Sequence, residues 1–132
     1  MRRAVLIVGM CLLPAAGHGE TASVASGVKT ELAIHSRFGF DCKPAHVVIT
    51  LLKMPDNGTV MVEAKDYLVP AENKYGVKQP PQCVGKTMRG VALFYQSKPG
   101  FVGSDSFRYS RVNADKKDDR FNTEATFTLT VK

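Results

Sequence analysis

Apolar and polar residues alternate at every second position through most of this chain, and no segment sustains the 3.6-residue apolar period of a helix. A period of two sends successive side chains to opposite faces of an extended backbone, so each such run predicts a strand. The run over 124–132 is the cleanest: Ala125, Phe127, Leu129 and Val131 share one face, and Thr126, Thr128 and Thr130 the other. Residues 28–35 predict a first strand, with Leu32 and Ile34 on one face. Residues 45–53 have little polarity on either face, Val47, Ile49 and Leu51 against Val48, Thr50 and Leu52, which predicts a central strand. Residues 59–63 alternate with Val60 and Val62 inward, and 67–69 add a short strand. Residues 90–95 group Val91, Leu93 and Tyr95, and 106–112 turn Phe107 and Tyr109 toward a core.

The breaks between these runs are equally legible. Met54-Pro55-Asp56-Asn57-Gly58 ends one strand, and its Asn-Gly pair is a hairpin signal. The stretch 94–109, F-Y-Q-S-K-P-G-F-V-G-S-D-S-F-R-Y, turns a corner at Pro99, Gly100 and Gly103, glycine being the residue that takes positive φ without cost. Asp105 stands where its carboxylate can accept nearby backbone N–H groups and tie that corner down. Residues 70–82 hold Pro70, Gly76, Pro80 and Pro81 and predict a long irregular loop that exposes Lys74, Tyr75 and Lys78. A loop of this length is functional or mobile. Residues 113–122 form a charged loop. Six or seven short strands between such turns predict one all-β domain over 28–132: an Ig-like antiparallel β-sandwich of about seven strands with Greek-key connections.

The N-terminal segment changes the compartment. Arg2 and Arg3, the apolar run 4–13 and the small residues Pro14-Ala15-Ala16-Gly17 read as a signal peptide over 1–19, followed by a flexible lead over 20–27. The apolar run is too short for a transmembrane helix, which needs about 20 residues. Met10 before Cys11 argues against a lipid-modified cysteine. The remaining pair, Cys42 and Cys83, predicts a disulfide in a periplasmic or secreted chain. Without Arg2 and Arg3 the net charge falls from +6 to 16 − 12 = +4. These charges are dispersed, which points away from nucleic acid as a partner.

Two strings add a family resemblance. Tyr95-Gln-Ser-Lys-Pro99-Gly100-Phe101-Val-Gly103-Ser-Asp105-Ser-Phe107-Arg-Tyr109, with the Thr/apolar ladder to Val131, resembles the C-terminal half of bacterial Ig-like domains of the cadherin-like type. Pro55-Asp-Asn-Gly58-Thr-Val60 is similar to the turn before a Val-rich strand in that family. The resemblance spans about residues 45–132 and implies the sandwich fold, together with adhesive or spacer roles that the family plays as tandem repeats. This sequence holds a single copy, adds Cys42 and Cys83, and lacks the Trp of antibody domains.

Candidate chemistry is sparse. Cys42, His46, Cys83 and Met54 offer soft and imidazole ligands for copper or zinc, but residues four apart in a strand stand far apart for one ion. Asn113, Asp115, Asp118 and Asp119 offer oxygen donors for calcium, interrupted by Lys116 and Lys117 and without the EF-hand glycine. The histidines His18, His35 and His46 have no serine in a G-x-S-x-G elbow, and no glycine loop cradles a phosphate. No catalytic residue, metal or cofactor is assigned. The expectation is a non-catalytic exported binding or structural module. It would recognise an envelope or extracellular protein or glycan through a loop carrying Lys74, Tyr75 and Lys78. The alternatives are a periplasmic copper or zinc protein and a small inhibitor of an exported enzyme.

Overall fold

The computed structural model describes residues 18–132. The expected signal peptide through Gly17, with Cys11, lies outside the described residues; its last two positions, His18 and Gly19, head a strand. Seven strands make up the fold: β1 (His18–Val24), β2 (Thr30–His35), β3 (Val47–Lys53), β4 (Gly58–Leu68), β5 (Thr87–Ser97), β6 (Gly103–Asn113) and β7 (Thr123–Val131). They form two sheets, β1-β7-β6-β3 facing β2-β5-β4, an all-β sandwich without a helix among the described residues. The chain changes sheet between β1 and β2, β2 and β3, β3 and β4, and β5 and β6, so only β4–β5 and β6–β7 are joined neighbours.

The inward rows explain why the layers pack. Phe107, Phe127, Leu129, Leu93 and Tyr95 are almost wholly buried, with Val24, Ala33, Val60 and Val131 around them. Phe107 and Phe127 stack with centroids 5.5 Å apart. Each such side chain contributes roughly 1.5–3 kcal/mol by leaving water.

Several expectations change in three dimensions. The lead over 20–27 is ordered through Val24, because β1 adds a parallel edge to β7, pairing Glu20 with Phe127 and Val24 with Val131. The sandwich is therefore not wholly antiparallel. In β2 the buried residues are Ala33 and His35, not Leu32 and Ile34, because a register shift after Glu31 exchanges the faces. The strand over 45–53 is an edge, not a centre, and Val48 and Leu52 on it are exposed. Residues 59–63 and 67–68 belong to one eleven-residue strand, β4, with Val69 just past its end, and Val62 is exposed. Asn57-Gly58 makes no hairpin: β3 and β4 lie in different sheets. Its glycine is needed for room, since a Cβ at Gly58 would stand 2.6 Å from the Tyr95 ring.

One end of the sandwich is closed by Asp105. Its buried carboxylate accepts the backbone N–H groups of Asp56 (3.1 Å), Asn57 (3.1 Å) and Ser106 (3.0 Å) and the Tyr95 hydroxyl (2.7 Å). The two distant N–H groups belong to the β3–β4 crossover, so the clamp reaches well beyond its own corner. Gly100 and Gly103 take φ of 79° and 143° in that corner. At the other end, Cys42 and Cys83 form a disulfide between the β2–β3 and β4–β5 connections, Sγ to Sγ 2.00 Å. It packs with Val69 and Met88 in a second small core.

Asp105→Ala strands four donors in a buried place. At roughly 1.5–3 kcal/mol for a hydrogen bond to a charged group, partly offset by relaxation, the expected loss is about 3–4 kcal/mol in urea unfolding. A loss under about 1 kcal/mol would show that the clamp is dispensable. The Cys42→Ala/Cys83→Ala pair frees a loop that spans 41 positions, and the chain-entropy relation sets the cost at about 4 kcal/mol, read as a lower unfolding midpoint with the fold retained.

Candidate functional site

The inward rows do not stay apolar to their ends. On β6 the row runs Phe107, Tyr109, Arg111; on β7 it runs Phe127, Ala125, Thr123; on β2 it ends at His35; on β1 it passes from Val24 and Ala22 to Glu20. All four rows turn polar at the same end, opposite the Asp105 clamp. Six residues of extended chain, about 20 Å, separate Asp105 from Arg111. Burying polar groups is unfavourable unless they are paired, and here they line a cavity of about 820 Å³. Its rim comes from the ends of β2 and β4 and from the β4–β5 loop.

His35 is buried at the floor. Its Nε2 lies 2.8 Å from the Tyr109 hydroxyl, and its Nδ1 lies 3.4 Å from a terminal nitrogen of Arg111. A guanidinium only donates, so Nδ1 accepts and Nε2 carries the proton. Nε2–H then donates to the Tyr109 oxygen, and the Tyr109 hydroxyl hydrogen is left to point elsewhere. Burial, reinforced by the Arg111 charge, lowers the His35 pKa to about 4. Burial also raises the Tyr109 hydroxyl, with the Glu20 charge adding to the shift. Arg111 Nε donates to the Phe121 carbonyl at 2.9 Å, and the guanidinium lies 4.5 Å over the Phe121 ring.

The β4–β5 loop forms the lip; as expected it holds no helix or strand over 70–82, yet it is internally bonded. Glu72 and Lys78 make an isolated bridge, Asn73 N–H donates to the Val77 carbonyl at 2.9 Å, and Gly76 takes φ of 78°. The Asn73 side-chain oxygen accepts the N–H groups of Tyr75 and Val77, both at 3.0 Å. Such self-satisfied turns hold a loop without a core beneath it. The Tyr75 hydroxyl donates to Glu20 Oε1, and burial of that end, with the Glu20 bond, pushes its pKa up to about 12. Tyr75 as a whole remains 59% exposed, and exposed Val77 and Leu68 border the same cavity. The Lys74 ammonium lies 5.0 Å over the ring and 3.8 Å from Glu20 Oε2.

Lys74, Tyr75 and Lys78, singled out in the sequence for their loop, thus all border the cavity. Glu20, His35, Tyr109 and Arg111 were not recognised as site residues. The available signal was parity: a polar residue standing next in an apolar inward row. The residues considered for metals have other duties. Both Cys42 and Cys83 sulfurs are in the disulfide, so neither is a thiolate. Asp119 makes a paired contact with Arg37, 2.9 and 3.0 Å, and accepts from Asn113 Nδ2 at 2.9 Å and Phe121 N–H at 3.0 Å. The Phe121 and Asn113 bonds, aided by Arg37, lower its pKa to about 2. Asp115 accepts the His46 N–H at 2.9 Å.

No protein-family model matches this chain, nor does any curated protein or solved structure.

The His35 shift makes stability pH-dependent. The unfolded imidazole, with a pKa of 6.5, takes a proton before the folded one does at about 4. Stability is full above the upper value and falls with pH across that window, by at most about 3 kcal/mol. Urea midpoints at pH 7 and about pH 4.5 should drop clearly for the wild type and much less for His35→Gln. The Asp119 contribution persists until pH falls below the ordinary carboxyl value of 3.8, so the two windows do not overlap.

Proposed function

We propose that this protein is an exported, non-catalytic Ig-like binding module that recognises an envelope or extracellular protein or glycan through the cavity end bearing Lys74, Tyr75 and Lys78. The observation that carries this reading is the lip: an exposed Tyr75 ring on a loop fixed by Asn73, beside Val77 and Leu68 and above a polar cavity. A semi-rigid tyrosine presents contact area with little conformational entropy to lose, which suits an interface anchor. The cavity lies within the volume range of sites that take small molecules or single sugar units.

The chemistry inside favours recognition over turnover. A general base near neutral pH needs a pKa near 7, and burial holds His35 far below that. Both of its nitrogens are engaged, by Tyr109 and Arg111. Ser36, the neighbouring hydroxyl, is bonded to Tyr67. Export is compatible with the Cys42–Cys83 disulfide and with the lack of a membrane-spanning helix among the described residues. The cadherin-like resemblance supports an Ig-like module and adds no ligand.

Tyr75→Ala removes the anchor and its bond to Glu20 but no core contact. In crosslinked capture from intact envelope, the variant should lose most of the wild-type partner signal. Its unfolding free energy should change by less than about 1 kcal/mol. Equal capture by wild type and variant would refute the role of this lip.

A further inference from the structure

Three groups in the cavity have unused hydrogen-bonding capacity. Arg111 commits Nε to the Phe121 carbonyl and one terminal nitrogen to His35, which leaves most of a five-donor fork. Among the described residues no carboxylate lies within ion-pair distance of it. Glu20 Oε2 is buried and receives no hydrogen bond among the described residues; the Lys74 ammonium at 3.8 Å is an ion pair too long to donate one. The Tyr109 hydroxyl hydrogen, freed by the Nε2–H tautomer of His35, has no acceptor among the described residues. A buried acceptor and a cationic fork without partners are each unfavourable alone. A single ligand offering an oxyanion and a hydroxyl or ammonium would satisfy all three.

Charge and shape narrow the choice. Arg111, Lys74 and Lys78 border the cavity against one carboxylate, Glu20, while Arg37 is balanced by Asp119. The surplus is positive, so a ligand with net negative charge is favoured over a zwitterionic amino acid. The planar guanidinium fork matches a carboxylate in bidentate geometry. The exposed faces of Tyr75, Leu68 and Val77 suit the C–H face of a sugar ring.

We propose that the cavity binds an acidic sugar unit, with its carboxylate on Arg111 and a ring hydroxyl donating to Glu20 Oε2. This rests on the binding-module reading and names its ligand class. The unit is recognised as a uronic acid, free or within an acidic glycan.

The test is calorimetric titration of the folded, disulfide-bonded protein with D-glucuronate, D-glucose, L-alanine and inorganic phosphate. Glucuronate should bind about tenfold or more tighter than each of the others. Arg111→Gln and Arg111→Lys should each weaken glucuronate about tenfold, the lysine because it keeps the charge and loses the fork. Lys53→Gln, at the opposite end of the sandwich, should leave binding unchanged. Melting curves identify any variant that fails to fold, and the Arg111→Lys result then decides. Comparable binding of glucose, alanine or phosphate overturns the assignment, as does full affinity in a folded Arg111 variant. If glucuronate does not bind while Tyr75-dependent envelope capture persists, the ligand class is wrong and the binding-module reading stands. If both fail, both are wrong.

Discussion

A buried carboxylate holds this sandwich in register. Asp105 accepts from three backbone N–H groups and from Tyr95, and those donors come from a crossover, from its own strand and from the facing sheet. Four donors compensate the desolvation of one charge, and in return the β3–β4 crossover has one position. With that end fixed, the inward rows of β5, β6 and β7 meet as aromatic and aliphatic layers, and their far ends are placed by strand geometry alone. The location of Tyr109 and Arg111 at the opposite end follows from that register.

The far end is organised differently. Its inward rows carry Glu20, His35, Tyr109 and Arg111 where another sandwich would continue its apolar core. Polar groups there forgo hydrophobic stabilisation. The crosslink between Cys42 and Cys83 and the paired Arg37–Asp119 contact lie at this same end and fasten its loops. Asp119 has a side chain only 4% exposed, so its pairing with Arg37 is shielded better than a surface ion pair. Stability supplied from the loops lets the cavity remain open and polar. The molecule thus separates an end clamped by Asp105 from an end whose inward rows are polar and whose loops are fastened by a disulfide and an ion pair.

Fold class was legible because alternation is a local property. The Thr126–Thr130 ladder with its apolar partners can only be half-buried strand, and Pro99, Gly100 and Gly103 can only be a corner. Asp105 was legible as a backbone acceptor, and its residue type and place suffice for that. The misreadings share a cause. Leu32 and Ile34 were read as one face of the strand, but a register shift in the pairing with β5 buries Ala33 and His35 and leaves Leu32 partly buried against the core. Val48 and Leu52 looked central, but sheet order is set by contacts between distant segments. Asn57-Gly58 has hairpin chemistry, yet it lies in a crossover between sheets whose N–H groups Asp105 accepts.

What the chain determined by itself is the extended backbone, the corners and the pair of cysteines available to cross-link, since each depends on a residue and its near neighbours. Only the tertiary structure decided which strands are edges, that Glu20 lies in a strand, and that four polar residues from three strands meet in one cavity. Those outcomes depend on the register between segments far apart in the chain, as where Glu20 pairs with Phe127. A short window of sequence contains the parity of each row but not the neighbour it will face.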